Sequence, residues 1–173
     1  MEGCDAVALH EAYVRGDLAE VRALLGDPAD FPNCRGPSGL GEIILEYAIY
    51  HSPIPFIETL LQMGADPEYG EHAGYPSLIA ALSSARRDRL EILDLLLGHG
   101  ADIQQRGVNG YTPLHWAVGE DDPLLIGWLL DRGADPEART SVDDYATPLE
   151  EAIILGHESA AKALDVAARS VDS

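Results

Sequence analysis

The sequence predicts an all-α solenoid of about five stacked helix-turn-helix repeats. Two observations predict it. The ending Leu-Leu-x-x-Gly-Ala-Asp occurs at 60–66, 96–102 and 129–135, with its glycines Gly64, Gly100 and Gly133 spaced by 36 and 33 residues. A degraded copy, Leu24-Leu25-Gly26-Asp27-Pro28, begins 36 residues before Leu60. Opening phrases recur in step with these endings, at 41–48, 74–81, 110–117 and 145–152, and the last runs out after Leu164 without a glycine. Repeats of this length cannot bury their apolar faces alone, so they stack, and a stack makes an extended surface rather than an enclosed pocket.

The copy beginning at Gly110 shows how each element arises. Thr112 caps free amides and Pro113 opens the first helix without losing a hydrogen bond. Leu114, Ala117 and Val118 then fall on one apolar helical face. A second helix is predicted over 123–131, ended by Gly133 in a left-handed conformation. Pro53, Pro55 and Pro123 mark the starts of second helices. Three departures interrupt the pattern. Residues 83–88 add about three residues between the helices of the third repeat. The connection from Gly133 to Tyr145 is about two residues longer than its counterparts. Residues 26–41, with Pro28, Pro32, Pro37 and four glycines, read as a loose loop. The expected organisation is a single domain over 1–173, with repeats at 5–36, 37–70, 71–106, 107–140 and 141–168, the first and last acting as caps.

The phrase Thr112-Pro113-Leu114-His115, closed by Leu129-Leu130-Asp131-Arg132-Gly133-Ala134-Asp135, resembles the ankyrin repeat family. The copy at Gly110 matches in full. The copy at Gly74 has Pro76-Ser77-Leu78-Ile79 instead, and that at Gly41 has Ile43-Ile44-Leu45-Glu46. The resemblance covers residues 5–168 and implies a structural role for His115, bonded to nearby backbone and the Thr112 hydroxyl, with His10 as its counterpart in the first repeat. It also implies binding through a concave face made of hairpin tips and first-helix edges. On this sequence those positions are Glu42, Tyr75 and Tyr111 after the opening glycines. The tips are His72 and Ala73, Val108 and Asn109, and Asp143 and Asp144. Helix ends add Tyr50 and His51, Ser83 and Ser84, and Gly119 and Glu120. Tyrosine offers contact area at little entropic cost, and carboxylates suit arginine or lysine on a partner. The competing reading has the tyrosines shielding neighbouring helices and the acidic turns merely solvated. Trp116 and Trp128 sit among apolar helical positions and are assigned to packing.

Composition narrows the function. The chain has 173 residues, 46% of them hydrophobic, as a folded protein requires, and a net charge of −19 from 11 basic and 30 acidic residues. That excess repels nucleic acid and anionic lipid and steers a basic protein toward it, although solubility alone also accounts for acidity. No apolar run is long enough to span a bilayer, and the acidic start Met1-Glu2-Gly3-Cys4-Asp5 is not a signal peptide. Cys4 and Cys34 make no disulfide framework, which fits a reducing cytoplasm; a monomer is expected there, with a module that binds only as a dimer as the alternative.

Catalysis needs convergent groups. His51, His72 and His99 fall on turns or helix edges, Asp121-Asp122 and Asp143-Asp144 lack the alternating calcium loop, and the cysteines lack zinc spacing. Adjacent Glu150 and Glu151 diverge on a helix, and Lys162, the only lysine, lies in no phosphate loop. No enzyme activity, metal or cofactor is expected. The island Arg86-Arg87-Asp88-Arg89 either pairs with nearby acids or meets an acidic patch of a partner. The function expected is non-catalytic binding of a basic protein, as an adaptor or as a stoichiometric inhibitor of the immunity type. A metal or enzyme site within 26–41 is the remaining alternative.

Overall fold

The computed structural model describes residues 5–36, 43–68, 76–142 and 145–171, with side chains described as far as residue 167. Among these residues ten α-helices follow in five pairs. The pairs are α1 (Ala6–Arg15) with α2 (Leu18–Leu24), α3 (Ile44–His51) with α4 (Ile54–Gln62), α5 (Ser77–Ser83) with α6 (Arg89–Gly98), α7 (Pro113–Gly119) with α8 (Pro123–Asp131), and α9 (Pro148–Leu155) with α10 (Glu158–Val171). The first helices stack in chain order and each second helix packs on its own first helix. One apolar cluster runs through the stack from Leu9 to Leu164. At its middle, α5 is buried from Ser77 to Leu82, because α3, α6 and α7 all pack on it.

The repeated ending has a mechanical reason. The amides of Gly64, Gly100 and Gly133 bond to the carbonyls of Leu61, Leu97 and Leu130, at 3.0, 3.1 and 3.0 Å. The following Ala65, Ala101 and Ala134 amides reach back to Leu60, Leu96 and Leu129. This double closure satisfies carbonyls that a helix end leaves open, and it requires positive φ at the glycine, here 92°, 94° and 88°. The aspartate completes the phrase, since the carboxylates of Asp66, Asp102 and Asp135 accept the amides two residues on, at 2.8–2.9 Å.

Helix starts are less uniform. Thr112 and Thr147 cap α7 and α9, each in a reciprocal box with the residue three positions on, His115 and Glu150. Pro76 has no side chain able to cap α5. Gln105 substitutes from the next hairpin, its Oε1 accepting the Leu78 amide at 3.2 Å, and it is almost wholly buried.

Inserted residues 84–88 separate α5 from α6, where other pairs need two or three residues. Arg86 turns this segment back onto the second pair, donating to the carbonyls of Ile49 and Ser52 at 3.1 and 2.5 Å and to both Asp88 oxygens. Arg89 reaches forward to Glu120 and Asp122 at 2.8 and 2.7 Å. The basic island is therefore a clamp across three pairs, and only Arg87 of its arginines has no ion pair among the described residues.

The reading of 26–41 as loose is corrected where it is described. Asn33 donates to the Gly64 carbonyl at 2.9 Å and accepts the Asp66 amide at 2.8 Å, Cys34 is buried, and Phe31 lies against the core beneath Arg22. Gln104 repeats the Asn33 contacts two steps on, bonding the Gly133 carbonyl and the Asp135 amide. Glu68 takes the same place between them, accepting the Asp102 amide at 2.9 Å. A ladder of polar side chains thus ties successive pairs together.

Consecutive hairpins also touch. Ser141 donates its amide to the Asn109 carbonyl at 2.7 Å, and a Cβ on Gly110 would lie 2.7 Å from that same nitrogen. Gly110 has φ 76° as well. Gly110→Ala is expected to cost at least about 2 kcal/mol, combining backbone strain with a clash against main chain. Gly64→Ala, with open space around its Cβ, should cost only about 1 kcal/mol. Urea melts of the two variants measure the difference.

Candidate partner-binding surface

The first helices and the hairpins supply the expected surface, and their local chemistry decides what each candidate offers. Of the candidates, Glu42, His72, Ala73, Tyr75, Asp143 and Asp144 lie outside the described residues. Tyr50 and His51 close α3. Tyr50 is half-buried, with its hydroxyl 2.7 Å from Ser83 Oγ on the next first helix, whereas His51 is exposed. Val108 and Asn109 form the 3-10 turn Val108–Gly110 and point outward, Val108 being 57% exposed, while the Asn109 carbonyl is held by Ser141. Tyr111 is half-buried, its ring 5.5 Å from that of His115. Glu120 is exposed at the end of α7 but is paired with Arg89.

The structure therefore spends part of the candidate set on joining repeats. Tyr50 and Glu120 each serve a neighbour, so both are held in place by contacts between repeats. Trp116 and Trp128 are half-buried on the core, and Arg132 stacks over Trp128 at 3.8 Å while pairing with Asp94.

Thr112, Pro113, Leu114 and His115 are buried, and His115 uses both ring nitrogens. Its Nε2 lies 3.1 Å from the Ala146 carbonyl, which only accepts, so Nε2 carries the proton. Nδ1 then accepts from the Thr112 hydroxyl at 2.8 Å. Burial pushes the imidazole below its ordinary value; the Ala146 bond opposes this and the Arg106 charge adds to it.

His10 does not repeat this arrangement. Asp5 caps α1 and the helix begins at Ala6, so the position matching Thr112 is Val7, inside the helix with no hydroxyl to offer. His10 instead bonds the Tyr47 hydroxyl at 2.8 Å. The rings of His10, Tyr47 and His51 lie 4.5–6.1 Å apart, with Tyr13 4.8 Å from Tyr47. His51 keeps an exposed edge, but its partial burial against these rings lowers its value, aided by His10 and Arg86, and burial raises that of Tyr47. Sequence reasoning missed His10 and Tyr47 as members of this edge. The i, i+4 spacing of Tyr47 and His51 is the signal that places them on one helix face.

No group of three or more metal-ligating side chains occurs among the described residues. A groove of about 620 Å³ between α8 and α10 is lined by Gly127, Ser159 and Ala163, with Asp131 and Lys162. Its small residues create the space.

Comparison with known proteins decides the family. The description Ankyrin repeats (3 copies) matches residues 78–167, more than half of the chain. The chain belongs to the ankyrin repeat family. Among its relatives, protein phosphatase 1 regulatory subunit 27 of Mus musculus is 40% identical over 76 residues, covering 43% of this chain and 49% of that protein. An ankyrin repeat protein of Rickettsia felis is 30% identical over 114 residues, covering 66% of this chain and 28% of the relative. The mitochondrial disaggregase of Bos taurus is 32% identical over 150 residues, covering 84% and 21%. The matched segments span less than half the length of these relatives. Ankyrin repeats imply protein–protein interaction, and an ankyrin domain is typically non-catalytic. No described helix is long and apolar enough to cross a membrane.

Proposed function

We propose that this ankyrin solenoid binds a basic protein non-covalently through the row formed by its first helices and hairpin tips. The observation that carries this reading is the direction in which the positive charge is spent. Arg86, Arg89 and Arg106 bond across repeats, to carbonyls at Ile49, Ser52 and Arg139 and to Glu120 and Asp122. The arginines thus hold the frame while the chain keeps a net charge of −19. Glu120 lies on this row, as do Glu42, Asp143 and Asp144 by sequence register. Exposed His51 and Val108 supply apolar and aromatic area beside them.

A second reading, a stoichiometric regulator of one enzyme, is favoured by the relative named as a regulatory subunit of a phosphatase. The two readings share the surface and differ in the number of partners.

Affinity capture from native lysate tests both. The wild type is compared with a His51→Ala/Val108→Asp variant at roughly 0.1 M and 1 M salt, where the screening length falls from about 10 to 3 Å. Basic proteins retained by the wild type at low salt and lost in the variant are the expected result. Retention that ignores both salt and substitution contradicts the reading. One retained protein favours the regulator, several the adaptor.

A further inference from the structure

The described histidines are spent unevenly. His99, His115 and His157 each set a ring nitrogen against a backbone carbonyl, of Leu95, Ala146 and Val118 respectively. His10 uses only Nδ1, which meets the Tyr47 hydroxyl at 2.8 Å, and His51 makes no hydrogen bond to another described residue. Both stand on one edge of the stack, because α3 packs on α1 and because Tyr47 and His51, four residues apart, share a helix face. Their ring centres are 5.1 Å apart and the ring planes are inclined at 77°. Two imidazoles on one tetrahedral ion, each nitrogen about 2.0–2.1 Å from it, place their ring centres roughly 5 Å apart.

We propose that His10 and His51 together bind a divalent transition-metal ion of the zinc type, which joins the first helix pair to the second. His10 Nε2 and one ring nitrogen of His51 are the protein ligands, and water fills the remaining positions. An ion on Nε2 fixes the His10 tautomer, so Nδ1 carries the proton and donates to the Tyr47 hydroxyl oxygen. Tyr47 is then a positioning residue, itself held by the Tyr13 ring at 4.8 Å. His51 is exposed, so the ion reaches it from solvent. Its partial burial keeps the imidazole uncharged in neutral solution, the form that coordinates. The Arg86 charge that acts on His51 is offset by Asp88, which accepts from that guanidinium with both oxygens. A pair of imidazoles favours Zn²⁺, Ni²⁺ or Cu²⁺ over Ca²⁺ and Mg²⁺, which take oxygen ligands. The inference does not depend on the first-helix row as a partner-binding site.

Isothermal titration of the whole chain with Zn²⁺ in neutral buffer tests this, with Mg²⁺ as the comparison. Zn²⁺ binds at one ion per chain and Mg²⁺ does not. His51→Ala, at an exposed helix end, weakens Zn²⁺ binding about tenfold or more, and so does His10→Ala. Tyr47→Phe keeps the ring but removes the hydroxyl, and weakens binding about tenfold while the circular dichroism spectrum stays that of the wild type. His99→Ala removes an exposed imidazole elsewhere and leaves binding unchanged. Should His10→Ala lose the wild-type spectrum, hydrogen exchange supplies a second readout. Zn²⁺ then slows amide exchange at 6–15 and 44–51 in the wild type and not in His51→Ala. Equal Zn²⁺ affinity in wild type and His51→Ala overturns the proposal, as does binding that is lost in His99→Ala. So does a wild type that binds no Zn²⁺, or that binds Mg²⁺ equally well.

Discussion

Leu82→Ala should lower stability by roughly 2–5 kcal/mol, the range for emptying a well-packed site of a leucine. Leu82 is fully buried in α5, the helix on which α3, α6 and α7 all pack. The position has no exposed edge through which neighbours can relax into the cavity, so little of the loss is recovered. A solenoid couples only adjacent repeats, so a lesion in the middle also weakens the link between its two halves. The denaturant slope should therefore fall along with the midpoint, because the halves begin to unfold separately. Leu164→Ala, in α10 at the end of the stack, should instead fray one pair and leave the main transition sharp. Urea melts followed by circular dichroism distinguish these outcomes, and an unchanged slope for Leu82→Ala would show the stack to be more cooperative than its contacts imply.

Acid should destabilise the wild type between pH 7 and 5, and His115→Gln should flatten that decline while costing about 1–3 kcal/mol at neutral pH. His115 is neutral in its buried site, with its value held below the ordinary 6.5. Above that value neither folded nor unfolded chain holds the extra proton, so the full contribution of the site is present. As pH falls through about 6.5, the unfolded chain binds a proton that the folded one refuses, and stability drops by up to about 1.4 kcal/mol per pH unit for each such group. The loss continues until the folded value is reached. His51, lowered mainly by burial, acts in the same direction, so the variant reduces the slope without abolishing it. Asp88 and Glu150 have values lowered by bonds to Arg86 and to the Thr147 backbone respectively, so they contribute at more acid pH. A slope in His115→Gln equal to that of the wild type would mean that His115 does not titrate differently on folding.

The parts of the fold that depend on local chemistry were legible. Leu129-Leu130 and Gly133-Ala134 close a helix using bonds within six residues, and Thr112-Pro113 opens one using three. Helix α8 spans Pro123–Asp131, the range its pattern predicts. Contacts between repeats were not legible, because their partners lie some thirty residues apart and use no recurring residue type. Gln105 caps α5 across 27 residues, and the ladder position is filled in turn by Asn33, Glu68 and Gln104. The same limit governs the candidate surface. Register placed Tyr50 and Glu120 at first-helix ends, but only the packed structure reveals that Ser83 and Arg89 of adjoining repeats hold them. His10 misled for a local reason: its neighbours imitate the Leu-His phrase while Val7 replaces the threonine on which that phrase depends.

Hydrogen exchange on the solenoid with its captured partner tests the central claim most directly. Binding through the first-helix row predicts added protection at 44–51, 77–84 and 108–120. The second helices at 54–62 and 89–98 should exchange as they do in the free chain. Protection confined to those second helices, with the first-helix row unchanged, would contradict the account and place the partner on the opposite side of the stack.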